Sequence, residues 1–234
     1  MLLALRARQR YTVRMTCRLC GSPTDALGPS APLSRYESCS ECGYLQLAQS
    51  HLPTGDDERK RYLLHRNDPA DPGYRSWLTG FVDDLIMPAL APGARVLDYG
   101  CGPEPALSAL LTERDFNVSS WDPFFHPDCA WTDATWDAIV LHEVAEHMHW
   151  PGDALRLAAS RLAPGGFLFI RTGRPPADAQ TFSAWWYRQD ISHVGFFSLR
   201  CQESFLGSLG LRLWLDNGKD GACFRAGDRK EQEN

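Results

Sequence analysis

The fold of this chain can be inferred from one short stretch, Val96-Leu97-Asp98-Tyr99-Gly100-Cys101-Gly102-Pro103-Glu104. In it, an apolar run ends on an acidic residue, and two glycines and a proline follow. Glycine adopts turn conformations that other residues avoid, and proline is favoured in the first turn of a helix. The stretch therefore predicts a strand, a tight turn and a helix, with bare backbone at the helix N-terminus available to a ligand.

Strand and helix patterns alternate along the rest of the chain. The predicted strands are 95–99, 117–121, 136–141, 167–170, 211–215 and 223–225, and the predicted helices are 58–66, 74–90, 103–112, 153–162 and 198–209. This alternation is typical of a Rossmann-like α/β fold, in which helices cover both faces of a mainly parallel sheet. Ligands of such sheets bind at the carboxyl ends of the strands.

The length and composition set limits on the architecture. The chain has 234 residues, of which 44% are hydrophobic and 23% charged. These values are typical of a globular protein with one domain of ordinary size and a small additional module. The longest uncharged apolar run is far shorter than the roughly 20 residues that cross a bilayer, so no membrane span is predicted.

Charge is distributed unevenly along the chain, whose formal net charge is −5. Residues 1–14 contain four arginines, and we interpret this segment as a disordered extension ahead of a start at Met15. Without the extension, residues 15–66 are neutral overall and residues 67–234 are acidic. A nucleic-acid partner is therefore not favoured, because phosphate binding requires clustered lysine and arginine.

Four cysteines form two C-x-x-C pairs, Cys17 with Cys20 and Cys39 with Cys42, each followed by glycine. This spacing is typical of a tetrahedral Zn²⁺ site, and metal binding would stabilise a segment too poor in apolar residues to form its own core. Two disulfides or a redox motif are the alternatives. Disulfides need an oxidising compartment, and a redox C-x-x-C would occur once, beside a βαβ unit. We predict a structural zinc ribbon.

The remaining cysteines are scattered along the chain: Cys101, Cys129, Cys201 and Cys223. They are interpreted as ordinary reduced thiols, which are typical of a cytoplasmic protein.

These observations divide the chain into successive segments. The predicted segments are an extension (1–14), a zinc ribbon (15–50), a linker with helical cover (51–93), the ligand-binding α/β domain (94–228) and a tail (229–234).

Two acids at predicted strand ends indicate a nucleoside ligand. Asp98 precedes the glycine turn, and Asp122 ends the next strand, where a carboxylate can accept hydrogen bonds from both ribose hydroxyls. The third glycine of G-x-G-x-x-G is absent, and Glu104 stands where a pyrophosphate would need unopposed N–H groups. A carboxylate there repels a diphosphate but tolerates a sulfonium cation.

With these features, the chain resembles the class I S-adenosylmethionine-dependent methyltransferases. The resemblance covers residues 60–225, with motifs at Val96–Pro105, Trp121-Asp122, Trp136–Val140 and Leu162–Gly166. It implies that S-adenosylmethionine is the cofactor. It further implies a set of cofactor-binding residues: Asp98, Gly100, Cys101 and Gly102 at the methionine portion, Asp122 at the ribose, and Leu141 and His142 as the wall near the sulfonium.

The chain departs from this family pattern between Asp122 and Asp137. Only 14 residues separate these two positions, which leaves little room for a further strand and its adenine-binding acid. Asp128 and Asp133 are the candidates for that acid.

Acidic and histidine residues cluster after the predicted strand 136–141. Glu143-x-x-Glu146-His147 resembles the ligand motif of the metal-dependent O-methyltransferases of ubiquinone synthesis and of small-RNA 3′-end methylation. The resemblance implies a Mg²⁺ or Mn²⁺ site with His193 as a fourth ligand. Without a metal, His147 or His193, assisted by Glu146, would remove a proton from the acceptor.

Aromatic residues supply further cleft candidates. The triplet Trp185-Trp186-Tyr187 would either stack on a planar substrate or pack as a lid, and at least one member is expected to be exposed. Tyr62, His65 and Tyr74 are weaker candidates.

The sequence thus predicts an S-adenosylmethionine-dependent methyltransferase that transfers a methyl group to an oxygen of a small or medium-sized acceptor, with carbon and nitrogen acceptors as open alternatives. One alternative is an rRNA or tRNA methyltransferase that docks through the zinc ribbon, as some four-cysteine rRNA methyltransferases do. The others are a nicotinamide-dependent oxidoreductase, disfavoured by the missing glycine, and a non-catalytic binding protein.

Overall fold

The structure is a computed structural model that describes residues 15–64, 68 and 70–228. The predicted extension 1–14, the predicted tail 229–234 and His65 lie outside the described residues. The described residues form two β-sheets, one of six strands and one of four.

The six-stranded sheet is the centre of the predicted α/β domain. Its strands are β4 (Arg95–Tyr99), β5 (Asn117–Trp121), β6 (Trp136–His142), β7 (Leu162–Arg171), β9 (Leu211–Asp216) and β10 (Gly221–Ala226). Their order is β5-β4-β6-β7-β10-β9, with β5, β4, β6 and β7 parallel and β10 antiparallel to both β7 and β9. The predicted Rossmann-like α/β fold is confirmed.

Six α-helices accompany the sheets in the described part of the chain: α1 (Gly55–Tyr62), α2 (Pro72–Phe81), α3 (Ala106–Glu113), α4 (Pro151–Ser160), α5 (Ala179–Ala184) and α6 (Leu199–Gly207). A π-helical turn, Val82–Ile86, extends α2. Side chains cap several N-termini, and Ser198, as predicted, accepts the N–H of Cys201 at the start of α6. None of these helices has the length and apolarity needed to cross a membrane.

The alternating pleat of the strands buries both faces of the sheet. One face packs against α4 and α6 through Leu97, Ile139 and Leu141, and the other packs against α2 and α3 through Val96, Ala138 and Val140. Because successive side chains of a strand point to opposite faces, these near-continuous apolar runs are what a doubly covered sheet requires.

Some boundaries differ from the sequence-based expectations. β7 begins at Leu162 rather than Phe167, because the turn Pro164-Gly165-Gly166 is accommodated within the strand where its register with β6 shifts. α3 begins at Ala106 rather than Pro103, because the glycine turn extends to Gly102, whose φ is 70°.

The predicted lack of room for a strand after Asp122 is confirmed. Between β5 and β6 the described chain forms only an isolated bridge from Asp122 to His126 and a 3₁₀ turn at Trp131–Asp133. β5 is therefore an edge strand of the sheet, with β9 at the other edge.

The cysteine-rich residues 15–50, called the cysteine module below, supply three strands of the second sheet. These are β1 (Thr24–Ala26), β2 (Tyr36–Cys39) and β3 (Leu45–Leu47). The fourth strand, β8 (Gly195–Phe196), comes from the α/β domain and pairs antiparallel with β3. Leu19 and Tyr44 of the module belong to the same buried cluster as Leu97 of the central sheet. The module is therefore built into the domain.

Gly152 marks a close approach between the module and α4. Its N–H donates to the carbonyl oxygen of Arg18 at 3.2 Å. A Cβ atom at this position would lie 2.2 Å from the carbonyl oxygen of Leu19. The second position of α4 therefore has room for glycine only.

We predict that Gly152→Ala lowers the free energy of unfolding by about 1–3 kcal/mol, because the added methyl group must displace main-chain atoms of the module. Urea unfolding measures the change. The control is Gly80→Ala in α2, where no atom lies within 4 Å of the added Cβ; this change should be neutral or stabilising by up to about 1 kcal/mol. Equal unfolding midpoints for Gly152→Ala and the parent would contradict the prediction.

Candidate active site

A cavity of about 560 Å³ opens at the carboxyl ends of β4, β5 and β6, where the fold was expected to bind its ligand. Of the residues predicted to bind the methionine portion, the ribose, the sulfonium or a divalent metal, all but one line it: Asp98, Gly100, Cys101, Gly102, Asp122, His142, Glu143, Glu146, His147 and His193. The exception is Leu141, which lies fully buried in the core. Since side chains alternate along β6, placing His142 at the cavity turns Leu141 to the opposite face, and the expectation that Leu141 forms the wall is corrected.

The glycine turn forms one end of the cavity. Gly100 and Gly102 have φ angles of 79° and 70°, in the left-handed region that favours glycine. A Cβ atom on Gly100 would lie 2.6 Å from Cγ1 of Val144. The N–H of Gly100 donates to the carbonyl of Trp121 at 2.7 Å, which fixes the turn to the end of β5.

Asp98 lies beneath this turn with only 3% of its surface exposed. Its Oδ2 accepts a hydrogen bond from Oγ of Ser108 at 2.7 Å, and Ser108 Oγ in turn lies 2.7 Å from Oγ of Ser120. Burial raises the pKa of Asp98 to about 6, although the Ser108 hydrogen bonds oppose the rise. The two serines were not predicted as site residues. In the sequence they differ from their neighbours only by a hydroxyl side chain within a helix and a strand.

Asp122 is held by main-chain N–H groups on both sides. Its Oδ1 accepts from Phe124 at 2.8 Å and from Phe125 at 3.1 Å, and its Oδ2 accepts from Gly102 at 3.1 Å. The carboxylate thus joins the glycine turn to the loop after β5. Asp128 and Asp133, the candidates for an adenine-binding acid, are absent from the described residues that line the cavity.

Glu143 and Glu146 form the other end of the cavity, linked by Tyr187. The Tyr187 hydroxyl lies 2.6 Å from Oε1 of Glu146 and 3.0 Å from Oε2 of Glu143. Burial raises the pKa of Glu143 to about 8, and the neighbouring Glu146 carboxylate contributes to the rise. Burial also raises the pKa of Glu146, which is fully buried. Glu143 has a φ of 55°, a strained value that is often found at functional sites.

The aromatic triplet divides between surface and site. Trp186 is 73% exposed and lies at the cavity, as expected for one member, whereas Tyr187 is buried and its ring stacks on Trp185 at 5.0 Å. Tyr62 and Tyr74 also line the cavity. The contacts of Tyr187 with two carboxylates were not predicted, because nothing in the sequence distinguishes this tyrosine from its neighbours.

The two histidines are oriented by main-chain carbonyls. Nδ1 of His193 lies 2.7 Å from the carbonyl oxygen of Tyr187, and Nδ1 of His147 lies 3.0 Å from that of Ser192. Since a carbonyl oxygen only accepts, each Nδ1 carries the proton. Burial and the neighbouring His147 lower the pKa of His193 to about 4, so its ring is neutral at pH 7 and its Nε2 has a lone pair.

Glu146, His147 and His193 form a compact group, called the carboxylate–histidine cluster below. Their possible ligand atoms all lie within 4.8 Å of one another. The second oxygen of Glu146, Oε2, is buried and has no hydrogen-bond partner among the described residues. Glu143, also predicted as a ligand, is not part of this group and instead contacts Tyr187 and Arg171.

His142 lies between the two ends of the cavity. Its ring packs edge-on against Trp77 and Phe81, with centroid distances of 4.6 and 4.9 Å. Burial and the nearby Arg171 lower its pKa to about 3. His142 is therefore a neutral wall residue at pH 7.

Acidic side chains dominate the charge of the cavity. Seven acidic side chains are present among its described lining residues: Glu58, Asp98, Glu104, Asp122, Glu143, Glu146 and Asp190. With a pKa of about 8, Glu143 is mostly protonated at pH 7, so the negative charge comes mainly from the others. Arg61 is the single arginine or lysine among these described lining residues, and its Nε lies 2.9 Å from Asp190 Oδ2. This electrostatic environment favours a cation over a phosphorylated ligand.

The four cysteines of the module also converge. Their sulfur atoms lie within 4.8 Å of one another, with Cys17 and Cys42 at 3.7 Å and Cys20 and Cys39 at 3.6 Å. Gly21 and Gly43 follow the two pairs with φ angles of 83° and 75°, as their positions in tight turns predict. Two similar turns thus point four thiols at one centre.

Several solved structures are similar to this chain. An O-methyltransferase family protein from Burkholderia thailandensis is 14% identical with a TM-score of 0.52, covering 77% of this chain and 66% of that chain. Magnesium protoporphyrin IX methyltransferase from Synechocystis PCC 6803, with bound S-adenosylhomocysteine, is 11% identical with a TM-score of 0.48, covering 76% and 96%. The 1,6-didemethyltoxoflavin-N1-methyltransferase of Burkholderia thailandensis, with bound 1,6-didemethyltoxoflavin and S-adenosylhomocysteine, is 16% identical with a TM-score of 0.47, covering 86% of this chain and 99% of that chain.

The sequence itself matches a family model. A comparison with curated protein sequences found no significant match. The family model described as a methyltransferase domain, however, matches residues 74–215, a range that contains the glycine turn, both strand-end acids and the carboxylate–histidine cluster. Since this match spans more than half of the sequence, the chain belongs to the methyltransferase domain family and is an enzyme.

Proposed function

We propose that this enzyme transfers a methyl group from S-adenosylmethionine to an oxygen atom of a small or medium-sized acceptor. The observation that supports this proposal is the single cavity that joins the glycine turn, Asp98 and Asp122 at one end to Glu146, His147 and His193 at the other. Its volume of about 560 Å³ lies within the range of small-molecule sites.

The cofactor end fits S-adenosylmethionine. When bound there, this cofactor supplies an electrophilic methyl group on a sulfonium centre. Asp98 presents a buried carboxylate to the methionine portion, and Asp122 presents one to the ribose hydroxyls. Gly100 and Gly102 leave main-chain atoms uncovered beside them, with Cys101 between them. The acidic lining favours a positively charged sulfonium over the diphosphate of a nicotinamide cofactor.

The opposite end fits an acceptor that loses a proton. The neutral His193 has its Nδ1 proton on the Tyr187 carbonyl, so Nε2 is the atom that takes the proton of an acceptor hydroxyl. Glu146 lies in the same group and stabilises the resulting imidazolium. Much of the acceleration then comes from holding the acceptor oxygen in line with the methyl group.

The acidic cavity also bears on the type of acceptor. RNA substrates require clustered lysine and arginine for their phosphates. The described cavity lining has seven acidic side chains and a single arginine that is paired with Asp190. These charges favour a small-molecule acceptor over RNA.

A divalent metal at the carboxylate–histidine cluster is the second candidate for acceptor activation. The observation in its favour is the buried, unpartnered Oε2 of Glu146 beside two imidazoles. One carboxylate and two imidazoles suit Mn²⁺ better than Mg²⁺, which prefers oxygen ligands. At this place a metal would act as a Lewis acid on the acceptor oxygen.

We also propose that the cysteine module holds a structural Zn²⁺. Four thiolates at about 2.3 Å from a tetrahedral zinc are separated from one another by about 3.8 Å. The Cys17–Cys42 and Cys20–Cys39 sulfur separations, 3.7 and 3.6 Å, fit this geometry. Cys17, Cys39 and Cys42 are buried, so the ion would lie within the protein core.

We predict that Asp122→Ala weakens S-adenosylhomocysteine binding by about 10- to 100-fold, because hydrogen bonds to a charged group contribute about 1.5–3 kcal/mol. Isothermal titration calorimetry measures the affinity, and the melting temperature verifies folding. Asp128→Ala removes an exposed acid outside the cavity and should leave the affinity unchanged. Parental affinity in Asp122→Ala would remove this residue from the cofactor site.

We predict that the parent protein contains one zinc per chain and that Cys39→Ser loses most of it and melts at a lower temperature, because a tetrahedral site then lacks one thiolate. Elemental analysis by mass spectrometry measures the zinc content. Cys129→Ser, a change outside the cluster, should retain the metal. Equal zinc content in Cys39→Ser and the parent would argue against ligation by Cys39.

If a metal activates the acceptor, we predict that the parent binds one Mn²⁺ per chain. Glu146→Gln should abolish this binding, since a neutral amide is a poor ligand for this ion. Electron paramagnetic resonance titration of free Mn²⁺ measures binding. Glu203→Gln, an exposed change on α6, is the matched control. The metal hypothesis would be contradicted if Glu146→Gln bound Mn²⁺ as tightly as the parent, or if the parent bound none. His193 would then act as the base without a metal.

A further inference from the structure

The cysteine module and the acceptor end of the cavity are joined through one residue, Val194. Val194 follows His193 directly, and its carbonyl oxygen accepts the N–H of Leu47 in the module at 2.9 Å. Its own N–H donates to the carbonyl of Glu146 at 2.8 Å. Main-chain hydrogen bonds therefore run without interruption from strand β3 of the module to the carboxylate–histidine cluster.

Arg18 reinforces this junction from inside the module. Its guanidinium donates from Nη1 to the carbonyl of Leu47 at 2.7 Å and from Nη2 to the carbonyl of Val194 at 2.9 Å. The residue is only 7% exposed, and burial lowers its pKa. The two Nη donors are satisfied by these carbonyls, whereas the buried Nε has no hydrogen-bond partner among the described residues. A buried cation is costly unless it is hydrogen-bonded, so the two Nη contacts favour one arrangement of the two carbonyls.

Packing around β8 fixes the same segment. Gly195 and Phe196 pair with Gln46 and Leu45 of β3. The side chain of Tyr44 lies over Gly195 so closely that a Cβ atom there would be 1.8 Å from the tyrosine oxygen. The segment after His193 is thus enclosed by the module on its main-chain edge and on one face.

The cofactor end lacks a comparable link. In the described part of the chain, the hydrogen bonds that leave the module reach Gly152, Arg188, Val194 and β8. Hydrogen bonds to the glycine turn or to Asp122 are absent from that set. The hydrogen bonds of the module therefore reach the acceptor half of the cavity, whereas its contribution to the core beneath the sheet is apolar packing.

We propose that the cysteine module positions His193 for proton transfer, with Arg18 as the positioning residue that couples the two. This proposal rests on the proposed function, in which Nε2 of His193 takes the acceptor's proton. Arg18 does not touch the cavity; it fixes Val194, and thereby the ring whose Nδ1 proton must point at the Tyr187 carbonyl. In this proposal, the predicted zinc ribbon supports the active site from within the protein, and this role requires no nucleic acid.

The test is the tautomer of His193, observed by ¹⁵N nuclear magnetic resonance of the full chain. The parent should show a single Nδ1–H tautomer, because the hydrogen bond of one ring nitrogen determines which nitrogen carries the proton. Arg18→Met should give mixed tautomers and raise amide exchange across residues 192–197 by about tenfold or more. Arg18→Lys keeps the charge and one donor nitrogen but loses the planar fork, and it should restore the signature in part. Arg35→Met, an exposed change in the module, should behave as the parent.

An unchanged tautomer in folded Arg18→Met would overturn the proposal. If that variant does not fold, hydrogen exchange of the parent tests the proposal. The amide protons of Leu47 and Val194 should exchange with equal opening free energies. Much faster exchange at Val194 would overturn the coupling. Calorimetry with S-adenosylhomocysteine on the same samples distinguishes a failure of the proposed function from a failure of the positioning role. Lack of binding by the parent counts against the proposed function, whereas parental binding together with an unchanged tautomer counts against the positioning role alone.

Discussion

Parallel pairing of four strands is the constraint on which the site depends. Since β5, β4, β6 and β7 run in one direction, the loops that follow them leave the same edge of the sheet. Asp98, Asp122 and Glu143 are far apart in sequence but follow or end neighbouring strands, and they meet for this reason alone. Burial on both sheet faces then fixes the edge rigidly enough to hold carboxylates whose pKa values are raised.

The pairing of β3 with β8 adds a second constraint that differs in kind. It joins residues near position 46 to residues near position 195 and inserts the module between α4 and the acceptor end of the cavity. The carboxylate–histidine cluster is therefore supported from two sides, by the sheet through β6 and by the module through Val194. Precise orientation of reacting groups requires this kind of external support.

The sequence was most informative where the chemistry is local. The glycine turn at Gly100 and Gly102 and the two C-x-x-C pairs require particular residues at short spacing, and each was predicted from that spacing. Asp122 was identified because it ends an apolar strand. The direction of each side chain was harder to predict, and Leu141 faces the core although its neighbour His142 faces the cavity.

Long-range contacts were beyond sequence reasoning. β8 has only two residues, Gly195 and Phe196, too few for any periodicity, and its partner strand lies about 150 residues earlier in the chain. Tyr187 contacts Glu143 and Glu146 across a fold whose loops bring them together. Contacts of this type depend on tertiary geometry, which local propensity does not contain.

The shared core also determines how this chain tolerates rearrangement. A boundary after residue 50 looks natural in the sequence, but cutting there would strip β8 of its only partner strand in the described fold and uncover the apolar surface beneath Leu19 and Tyr44. An unpaired edge beside exposed apolar side chains invites aggregation. Residues 15–50 therefore behave as an inseparable wall of the catalytic unit, and recombination that exchanged them for a foreign segment would have to recreate the pairing with β8.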